Sequence, residues 1–283
     1  MIELHCHTTC SDGQLTPTAL VRGAATAGIR VLAITDHDTM AGWAEAREAA
    51  QPYGLEIIPG IELSTTSGGH PLHLLGFFPQ EEKLRGPLQE RQDQRRYRAA
   101  AMVERLAQLG FPVQLPQFAQ APGRPHIAQA LVKAGHVRSV REAFDRFLRD
   151  NGPAYIPYAP FSAVAGVRLL RSCGAVPVWA HPGLFRGGGL VKTLAGLVEA
   201  GLLGLEVYHP EQELGLRSTL LRFCEHYGLI ATGGSDYHGP NARGYHLNMM
   251  HLDLSLHQDL LASHKSLQAE RSSLDPDSWK QRF

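Results

Sequence analysis

Two pairs of polar residues have a spacing that lets both side chains of a pair reach one metal ion. His5 and His7 are separated by one residue and follow a short apolar segment, and Asp236 and His238 repeat that arrangement late in the chain. In an extended segment the side chains of residues i and i+2 point to the same face. Each pair is therefore a candidate for metal binding, although the spacing of a single His-X-His motif is weak evidence.

Further histidines and carboxylates follow other apolar segments in the same way. They are Asp12, Asp36, His37, Asp38, Glu62, His73, His181, Glu206 and His209. Mixed nitrogen and oxygen ligands suit zinc, manganese or iron, whereas an all-oxygen set suits magnesium or calcium. Two such cations about 3.5–4 Å apart can bind an ester oxygen, generate hydroxide from water and stabilise the leaving oxygen. Together these residues predict a metal-dependent hydrolase that cleaves a phosphate ester.

Three residues beside these candidate ligands are expected to have other contacts. Cys6 lies between His5 and His7, so its side chain should point to the opposite face. Asp36 and Asp38 flank His37, and the three side chains cannot all point inward. We expect at least one of these two carboxylates to orient an imidazole ring through a hydrogen bond.

The apolar segments alternate with helical patterns. Strands are predicted at residues 2–4, 31–34, 55–60, 72–78, 175–180, 203–208 and 229–232. Helices are predicted at residues 17–28, 41–53, 163–173, 190–200 and 214–227. Such alternation indicates βαβ units and a parallel sheet. A closed or nearly closed barrel fits better than a doubly wound sheet, because polar residues follow almost every strand and a barrel gathers its strand ends in one basin.

One long segment of the chain has a different pattern. Residues 84–160 contain no strand pattern, and helices are predicted at 89–109, 127–134 and 140–148. We interpret this segment as a helical cap inserted into a discontinuous α/β barrel. The barrel is assigned to residues 1–83 and 161–253, and a C-terminal helix or tail to residues 254–283.

The composition limits the class of protein. The chain has 283 residues, 43% of them hydrophobic, and 27 basic against 27 acidic residues, so there is no global field to attract long nucleic acid or an anionic membrane. The N-terminus lacks the pattern of a signal peptide, and no apolar run is long enough to span a membrane. The four scattered cysteines are expected to be reduced thiols. These features predict a cytoplasmic protein without a membrane or long nucleic-acid partner.

The combined motifs resemble the PHP (polymerase and histidinol phosphatase) family. Its signature blocks can be read at residues 5–7 with Asp12, and at 35–38, 180–183 and 234–238. The segment 59–62 and His73 match the additional metal-binding glutamate and histidine of the family. The resemblance implies a distorted seven-stranded (β/α) barrel with two or three divalent cations at its C-terminal face, most often manganese, with iron or zinc as alternatives.

The resemblance also implies a set of ligands for each cation. One cation would be bound by His5, His7, Glu62 and Asp236. A second would be bound by Asp12, His37 and His238. A third would be bound by Glu62, acting as a bridge, with His73 and His181. All nine positions carry the expected residue types, so the resemblance implies an active enzyme.

The cap is similar to that of stand-alone bacterial members of the family, labelled TrpH- or YciV-like. The similarity lies in residues 123–127, 144–148 and 153–155. It implies removal of the 3′-phosphate from 3′,5′-nucleotide bisphosphates, giving a nucleoside 5′-monophosphate and phosphate, and also 5′→3′ trimming of short RNA. The expected partner is thus a small phosphorylated substrate, either a nucleotide or a short oligoribonucleotide.

Three other functions share parts of this pattern. A histidinol-phosphate phosphatase has the same metal ligands, but its amine-bearing substrate favours acidic residues in the cap, whereas the loop at Arg124 is basic. A non-catalytic metal-binding PHP module is disfavoured by the intact ligand set. A metal-dependent amidohydrolase shares the barrel and ligands, but the sequence has no barrel-lysine motif that recommends it.

Four residues outside the ligand set are candidates for contact with a substrate. His209 is the candidate catalytic residue, since it could donate a proton to the leaving group or bind a phosphate oxygen; the alternative is a packed loop histidine. Arg124 and His126 lie in a cap loop that can fold over the pocket, where arginine offers a bidentate fork for a second phosphate; the alternative is one surface arginine among many. Ser235 either binds phosphate or shapes a turn.

Overall fold

The computed structural model describes residues 1–117, 121–157, 161–242 and 244–274, and it contains a seven-stranded sheet in which the strands follow chain order. The strands are β1 (Ile2–Glu3), β2 (Val31–Ile34), β3 (Glu56–Ser67), β4 (His70–Phe77), β5 (Val176–Trp179), β6 (Gly204–Tyr208) and β7 (Ile230–Gly233). Every residue of β2 and β5 is buried, as expected for strands covered on both faces. All seven predicted strands are present.

The ends of β1 and β7 meet and nearly close the sheet into a barrel. The His7 amide donates to the Tyr237 carbonyl at 2.9 Å, and the Tyr237 amide donates to the His5 carbonyl at 3.3 Å. A Cβ at Gly234 would lie 2.4 Å from the His5 Cβ, so this close approach requires glycine. The prediction of a distorted seven-stranded barrel is confirmed.

The direction of β4 differs from the prediction of a parallel sheet. β4 is antiparallel to both β3 and β5, whereas the other neighbouring strands are parallel. Only Gly68 and Gly69 connect β3 to β4, and both have positive φ angles, 57° and 81°. Parallel strands need a crossover of a dozen or more residues, so a two-glycine link forces a hairpin. The prediction of a uniformly parallel sheet is therefore wrong at this strand.

Helices connect and cover the strands. They are α1 (Pro17–Thr26), α2 (Trp43–Ala50), α3 (Glu81–Gln108), α4 (Arg124–Lys133), α5 (Val140–Ala143), α6 (Ala163–Ser172), α7 (Leu190–Glu199), α8 (Leu214–Tyr227) and α9 (Ser255–Leu274). The bounds of α3 differ from the prediction, because the helix begins before Pro87 and continues through it. Leu84 and Leu88 are buried in the apolar core beneath this first part, and their burial offsets the hydrogen bond lost at the proline.

The segment between β4 and α6 has an apolar core of its own. Side chains from α3, α4 and the turns after α5 form it, including Met102, Ile127, Leu131 and Phe147. This packing supports the interpretation of the segment as a cap, while its boundaries at 84 and 160 stay a prediction. None of the helices in the described part of the chain combines the length and the apolar character that a membrane crossing needs.

Candidate metal centre

The nine predicted ligands lie together at the face where the parallel strands end. His5 and His7 directly follow β1, His37 follows β2, His181 follows β5, and Asp236 and His238 follow β7. Among the described residues, three groups of potential ligands occur, and within each group the ligand atoms lie within 4.8 Å of one another. They are His5, His7, Glu62 and Asp236; His7, Asp12, His37 and His238; and His37, Glu62 and His73.

Glu62 is the centre of this arrangement. It is 1% exposed, and its two carboxylate oxygens face different histidines. Oε2 lies 3.1 Å from His5 Nε2, 3.1 Å from His7 Nε2 and 3.4 Å from His37 Nδ1. Oε1 lies 2.7 Å from His73 Nδ1 and 3.0 Å from His181 Nε2. One carboxylate therefore joins two sets of imidazoles, which is the arrangement that a bridging ligand needs.

The geometry suits cations better than direct hydrogen bonds. His7 Nε2 lies 3.1 Å from Glu62 Oε2, and His238 Nε2 lies 3.3 Å from Asp12 Oδ1. These two nitrogens and His37 Nδ1 are nevertheless buried without a hydrogen-bond partner in the described part of the chain. The nearby carboxylate oxygens are close enough, but their angles to the imidazole rings do not suit a hydrogen bond. Ligands about 2.0–2.1 Å from a tetrahedral ion lie roughly 3.3 Å apart. The residues present therefore fit one or more divalent cations.

The grouping agrees with the ligand sets that the resemblance implies, with two differences. The first group, with His5, His7, Glu62 and Asp236, is the same as the set implied for the first cation. The second group also includes His7, whose Nδ1 lies 3.6 Å from Asp12 Oδ1. The third group brings in His37, while His181 reaches the same Glu62 oxygen as His73 does. His7 and His37 thus lie between neighbouring groups and can serve either.

Burial and charge shift the pKa values of the site in opposite directions. Burial would lower the pKa of His7, but the carboxylates of Asp236 and Glu62 outweigh it and raise this pKa to about 10. Burial would raise the pKa of Glu62, but His37, His73 and His5 outweigh it and hold this pKa well below its usual range. Protons and cations therefore compete for the same nitrogens, since only the neutral imidazole binds a metal.

Glu206 orients two of the candidate ligands. Its Oε1 accepts a hydrogen bond from His5 Nδ1 at 2.9 Å, and its Oε2 accepts one from the His181 amide at 2.7 Å. A proton fixed on Nδ1 leaves Nε2 of His5 for an ion, and such outer partners commonly contribute 10–100-fold to metal affinity. The sequence places Glu206 at the end of a strand among the residues suited to metal binding, but it does not predict that Glu206 orients other ligands. A carboxylate inside an otherwise apolar strand is the signal that points to such a role.

Asp36 has a different role from the one expected. Its carboxylate accepts hydrogen bonds from the Thr8 amide at 2.7 Å, the Thr8 hydroxyl at 2.7 Å and the Ser11 hydroxyl at 2.6 Å. These bonds hold the loop that carries Asp12. Asp36 therefore positions a candidate ligand through its loop and, among the described residues, forms no hydrogen bond with an imidazole ring, the contact predicted for at least one of Asp36 and Asp38.

Asp38 connects the centre to α3. Arg95 Nη1 donates to Asp38 Oδ2 at 2.9 Å and to Ser64 Oγ at 2.9 Å, and Gln92 donates to the Asp38 carbonyl at 2.9 Å. Asp38 has a positive φ of 50° directly after His37, so these contacts fix the backbone beside a candidate ligand. The arginines of this helix are not all surface residues, since Arg95 is only 6% exposed.

Replacing Arg95 with methionine is expected to destabilise the protein and weaken metal binding. Asp38 would be left buried without its cation, which costs about 3–5 kcal/mol. The free energy of unfolding in urea and the affinity for manganese measure the two effects. The control is Arg96→Met on the exposed face of the same helix, where we expect a change of about 0.5 kcal/mol or less. Equal stability of the two variants would contradict the role of Arg95.

A cleft of about 170 Å³ opens above the metal centre, and Arg124 lies on its wall. Arg124 Nη1 donates to Asp150 Oδ1 at 2.7 Å and to the Leu148 carbonyl at 3.0 Å. His126 lies in the first turn of α4, where its Nδ1 accepts a hydrogen bond from the Gly123 amide at 3.0 Å. Of these two cap residues, Arg124 lies on the cleft wall, whereas His126 caps the start of α4 through its hydrogen bond with the Gly123 amide.

Ser235 shapes a turn. Its hydroxyl donates to Glu3 Oε2 at 2.8 Å, its amide donates to Glu3 Oε1 at 2.7 Å, and it is fully buried. Burial raises the pKa of Glu3 to about 7 despite these two hydrogen bonds. Of the two roles that the sequence leaves open for Ser235, these contacts favour the structural one.

His209 points a ring nitrogen toward the centre. Its Nδ1 accepts a hydrogen bond from the Glu211 amide at 3.1 Å, so the proton of the neutral ring is on Nε2. Nε2 lies 3.8 Å from Asp236 Oδ2 and is buried without a hydrogen-bond partner among the described residues. The ring is therefore a donor that faces the candidate ligands.

Comparison with known proteins finds relatives over most of the chain. The sequence model of the PHP domain matches residues 3–115. The chain is 33% identical to a 5′-3′ exoribonuclease of Haemophilus influenzae, covering 84% of this chain and 90% of that protein. It is 32% identical to a 3′,5′-nucleoside bisphosphate phosphatase of Chromobacterium violaceum, and the match covers 86% of this chain and 89% of that protein. A crystal structure from Bifidobacterium adolescentis, described as a metal-dependent phosphoesterase, superposes with a TM-score of 0.83 at 34% identity over 92% of this chain and 95% of that one.

Proposed function

The chain belongs to the PHP family, and on this basis we propose that it is a metal-dependent phosphatase acting on nucleotides. The reaction is removal of the 3′-phosphate from a 3′,5′-nucleotide bisphosphate, giving a nucleoside 5′-monophosphate and phosphate. The observation that carries the proposal is the buried Glu62 carboxylate, whose two oxygens join separate sets of imidazoles beneath an open cleft. Similarity to an exoribonuclease supports 5′→3′ trimming of short RNA as a further activity.

The proposed cofactor is two or three divalent cations, most often manganese, with iron or zinc as alternatives. The nine proposed ligands are His5, His7, Asp12, His37, Glu62, His73, His181, Asp236 and His238. When bound, the cations polarise the phosphoryl group and make hydroxide available near neutral pH. The three ligand groups, with Glu62 shared by two of them, support more than one ion.

The other parts of the reaction are assigned to side chains around the centre. We assign proton donation to His209 Nε2, because the Glu211 amide keeps the proton on that nitrogen. The proton would go to the 3′ ester oxygen as the nucleoside 5′-monophosphate leaves. Arg124 contacts the substrate from the cleft wall, with Asp150 fixing its guanidinium. His126 and Ser235 support these groups through the start of α4 and the turn after β7.

A cytoplasmic location is part of the same proposal. Cys6, Cys10, Cys173 and Cys224 are all free thiols, as is usual in a reducing compartment. Burial raises the pKa of the Cys224 thiol to about 11, so this side chain is unreactive. The zero net charge fits a small phosphorylated partner and offers no attraction to long nucleic acid or to a membrane.

Phosphate release by the manganese-loaded protein tests the proposed function. The substrates are adenosine 3′,5′-bisphosphate and histidinol phosphate, together with a short 5′-phosphorylated RNA for which released nucleoside 5′-monophosphate is measured, because cleavage of a phosphodiester frees no inorganic phosphate. We expect the highest kcat/KM for the bisphosphate. A preference for histidinol phosphate would overturn the substrate class, and no release from any ester at full metal occupancy would overturn the phosphatase activity itself.

A further inference from the structure

The segment after His181 brings two more side chains to the cleft. His181 is followed by a short turn at Pro182–Leu184, and Phe185 and Arg186 come directly after it. Both line the cleft together with six of the candidate ligands and with Arg124. A proposed ligand and two side chains of very different chemistry thus share one short loop.

The two arginines of the cleft differ in charge balance. Arg124 is paired with Asp150, which also lines the cleft, so the pair adds no net charge to the wall. Arg186 is exposed, and within the described ranges no carboxylate lies within ion-pair distance of it. Its hydrogen bond to the Gly183 carbonyl is long, at 3.4 Å. The guanidinium of Arg186 is therefore the unneutralised positive charge on the wall and is available to an anion.

The ring of Phe185 is held in place from two sides. It packs edge to face on Trp179, with ring centroids 5.7 Å apart. The backbone at Gly187 packs against the ring so closely that a Cβ there would lie 2.3 Å from Phe185 Cζ. The ring is only partly buried, so it can offer apolar surface to the cleft.

The size of the cleft fixes where the rest of a nucleotide must lie. A volume of about 170 Å³ is below the roughly 300 Å³ of a pocket that encloses a drug-sized ligand. A phosphoryl group at the metal centre would fill much of it. The base and the second phosphate must then extend along the wall toward solvent, where the exposed Arg186 is found.

We propose that residues 185–187 recognise the part of the nucleotide that does not react. Arg186 binds the phosphate that is retained in the product, and the ring of Phe185, positioned by Gly187, stacks on the base. Base–aromatic stacking tolerates any base, so this site favours nucleotides as a class without selecting one. The inference rests on the proposed function and adds the residues that distinguish a bisphosphate from a simple phosphate ester.

The charge is tested with Arg186→Ala in the manganese-loaded full-length protein. We expect KM for adenosine 3′,5′-bisphosphate to rise at least tenfold and the affinity for adenosine 5′-monophosphate, measured by calorimetry, to fall by a similar factor. The kcat/KM for 4-nitrophenyl phosphate should stay within twofold. Arg186→Lys should restore part of the loss, and Lys192→Ala, an exposed cation in the first turn of α7, should change none of these values.

The ring is tested with Phe185→Leu and Gly187→Ala. Both should raise KM for the adenosine bisphosphate more than for an abasic ribose bisphosphate, because only the adenosine compound has a base to stack. An equal rise in KM for the two compounds would overturn the stacking role of Phe185. An equal loss of kcat/KM for the bisphosphate and for 4-nitrophenyl phosphate in Arg186→Ala would overturn the charge role of Arg186. Failure of the proposed function itself would look different, since the unaltered protein would then release no phosphate from any ester.

Discussion

Replacing Glu62 with glutamine is expected to remove bound cations and to lower phosphate release by about 10³-fold or more, equivalent to roughly 4 kcal/mol of activation free energy. Glutamine keeps the shape of the side chain but supplies one acceptor oxygen and an NH₂ group. That group would face either the His5 and His7 nitrogens or those of His73 and His181, so one set of imidazoles would lose its shared anionic ligand. Metal content per chain after dialysis and the rate of phosphate release measure the two losses.

Two glutamates provide matched controls for this variant. Glu206→Gln can still accept the hydrogen bond from His5, so its metal affinity should fall by about 10–100-fold without a complete loss of bound ions. Glu56→Gln lies on an exposed position of β3 and should change neither quantity. Full metal content and full activity in Glu62→Gln would show that Glu62 is not a ligand.

The position of most candidate ligands could be predicted from the sequence because strand ends are easy to recognise. Apolar runs such as residues 31–34 are followed at once by polar residues, and parallel barrel strands bring their ends to one face. The direction of β4 was predictable in principle from the Gly68-Gly69 link, which is a hairpin signal. His73 therefore reaches the centre from an antiparallel strand, where it lies opposite Ser64.

The residues that position the ligands could not be predicted in the same way. Arg95 lies in a stretch rich in arginine and glutamine that is typical of an exposed helix, and only its contacts with Asp38 and Ser64 give it a role. A helical spacing of three residues joins Gln92, Arg95 and Arg98, all about 5–6% exposed, into one buried polar stripe. The role of such a stripe can be recognised only when its partner side chains are known, and these are distant in the sequence.

Replacing His209 with glutamine is expected to lower kcat for the nucleotide bisphosphate by about 10²–10⁴-fold while leaving metal content unchanged. His209 is fully buried, and its Nε2 proton faces the ligands because the Glu211 amide binds Nδ1. Glutamine keeps a polar amide at this position but cannot transfer a proton to a leaving alkoxide. The exposed His226→Gln on α8 is the matched control and should be as active as the unaltered protein.

The leaving group separates proton donation by His209 from phosphate binding. The nucleoside 5′-monophosphate leaves through its 3′-oxygen, an alkoxide that is a poor leaving group and needs a proton, whereas 4-nitrophenolate is a stable anion that leaves without one. His209→Gln should therefore slow release from the nucleotide far more than release from 4-nitrophenyl phosphate. An equal loss for both esters would contradict proton donation and would assign the Nε2 hydrogen to a phosphoryl oxygen. The comparison decides which oxygen of the substrate lies nearest His209 Nε2.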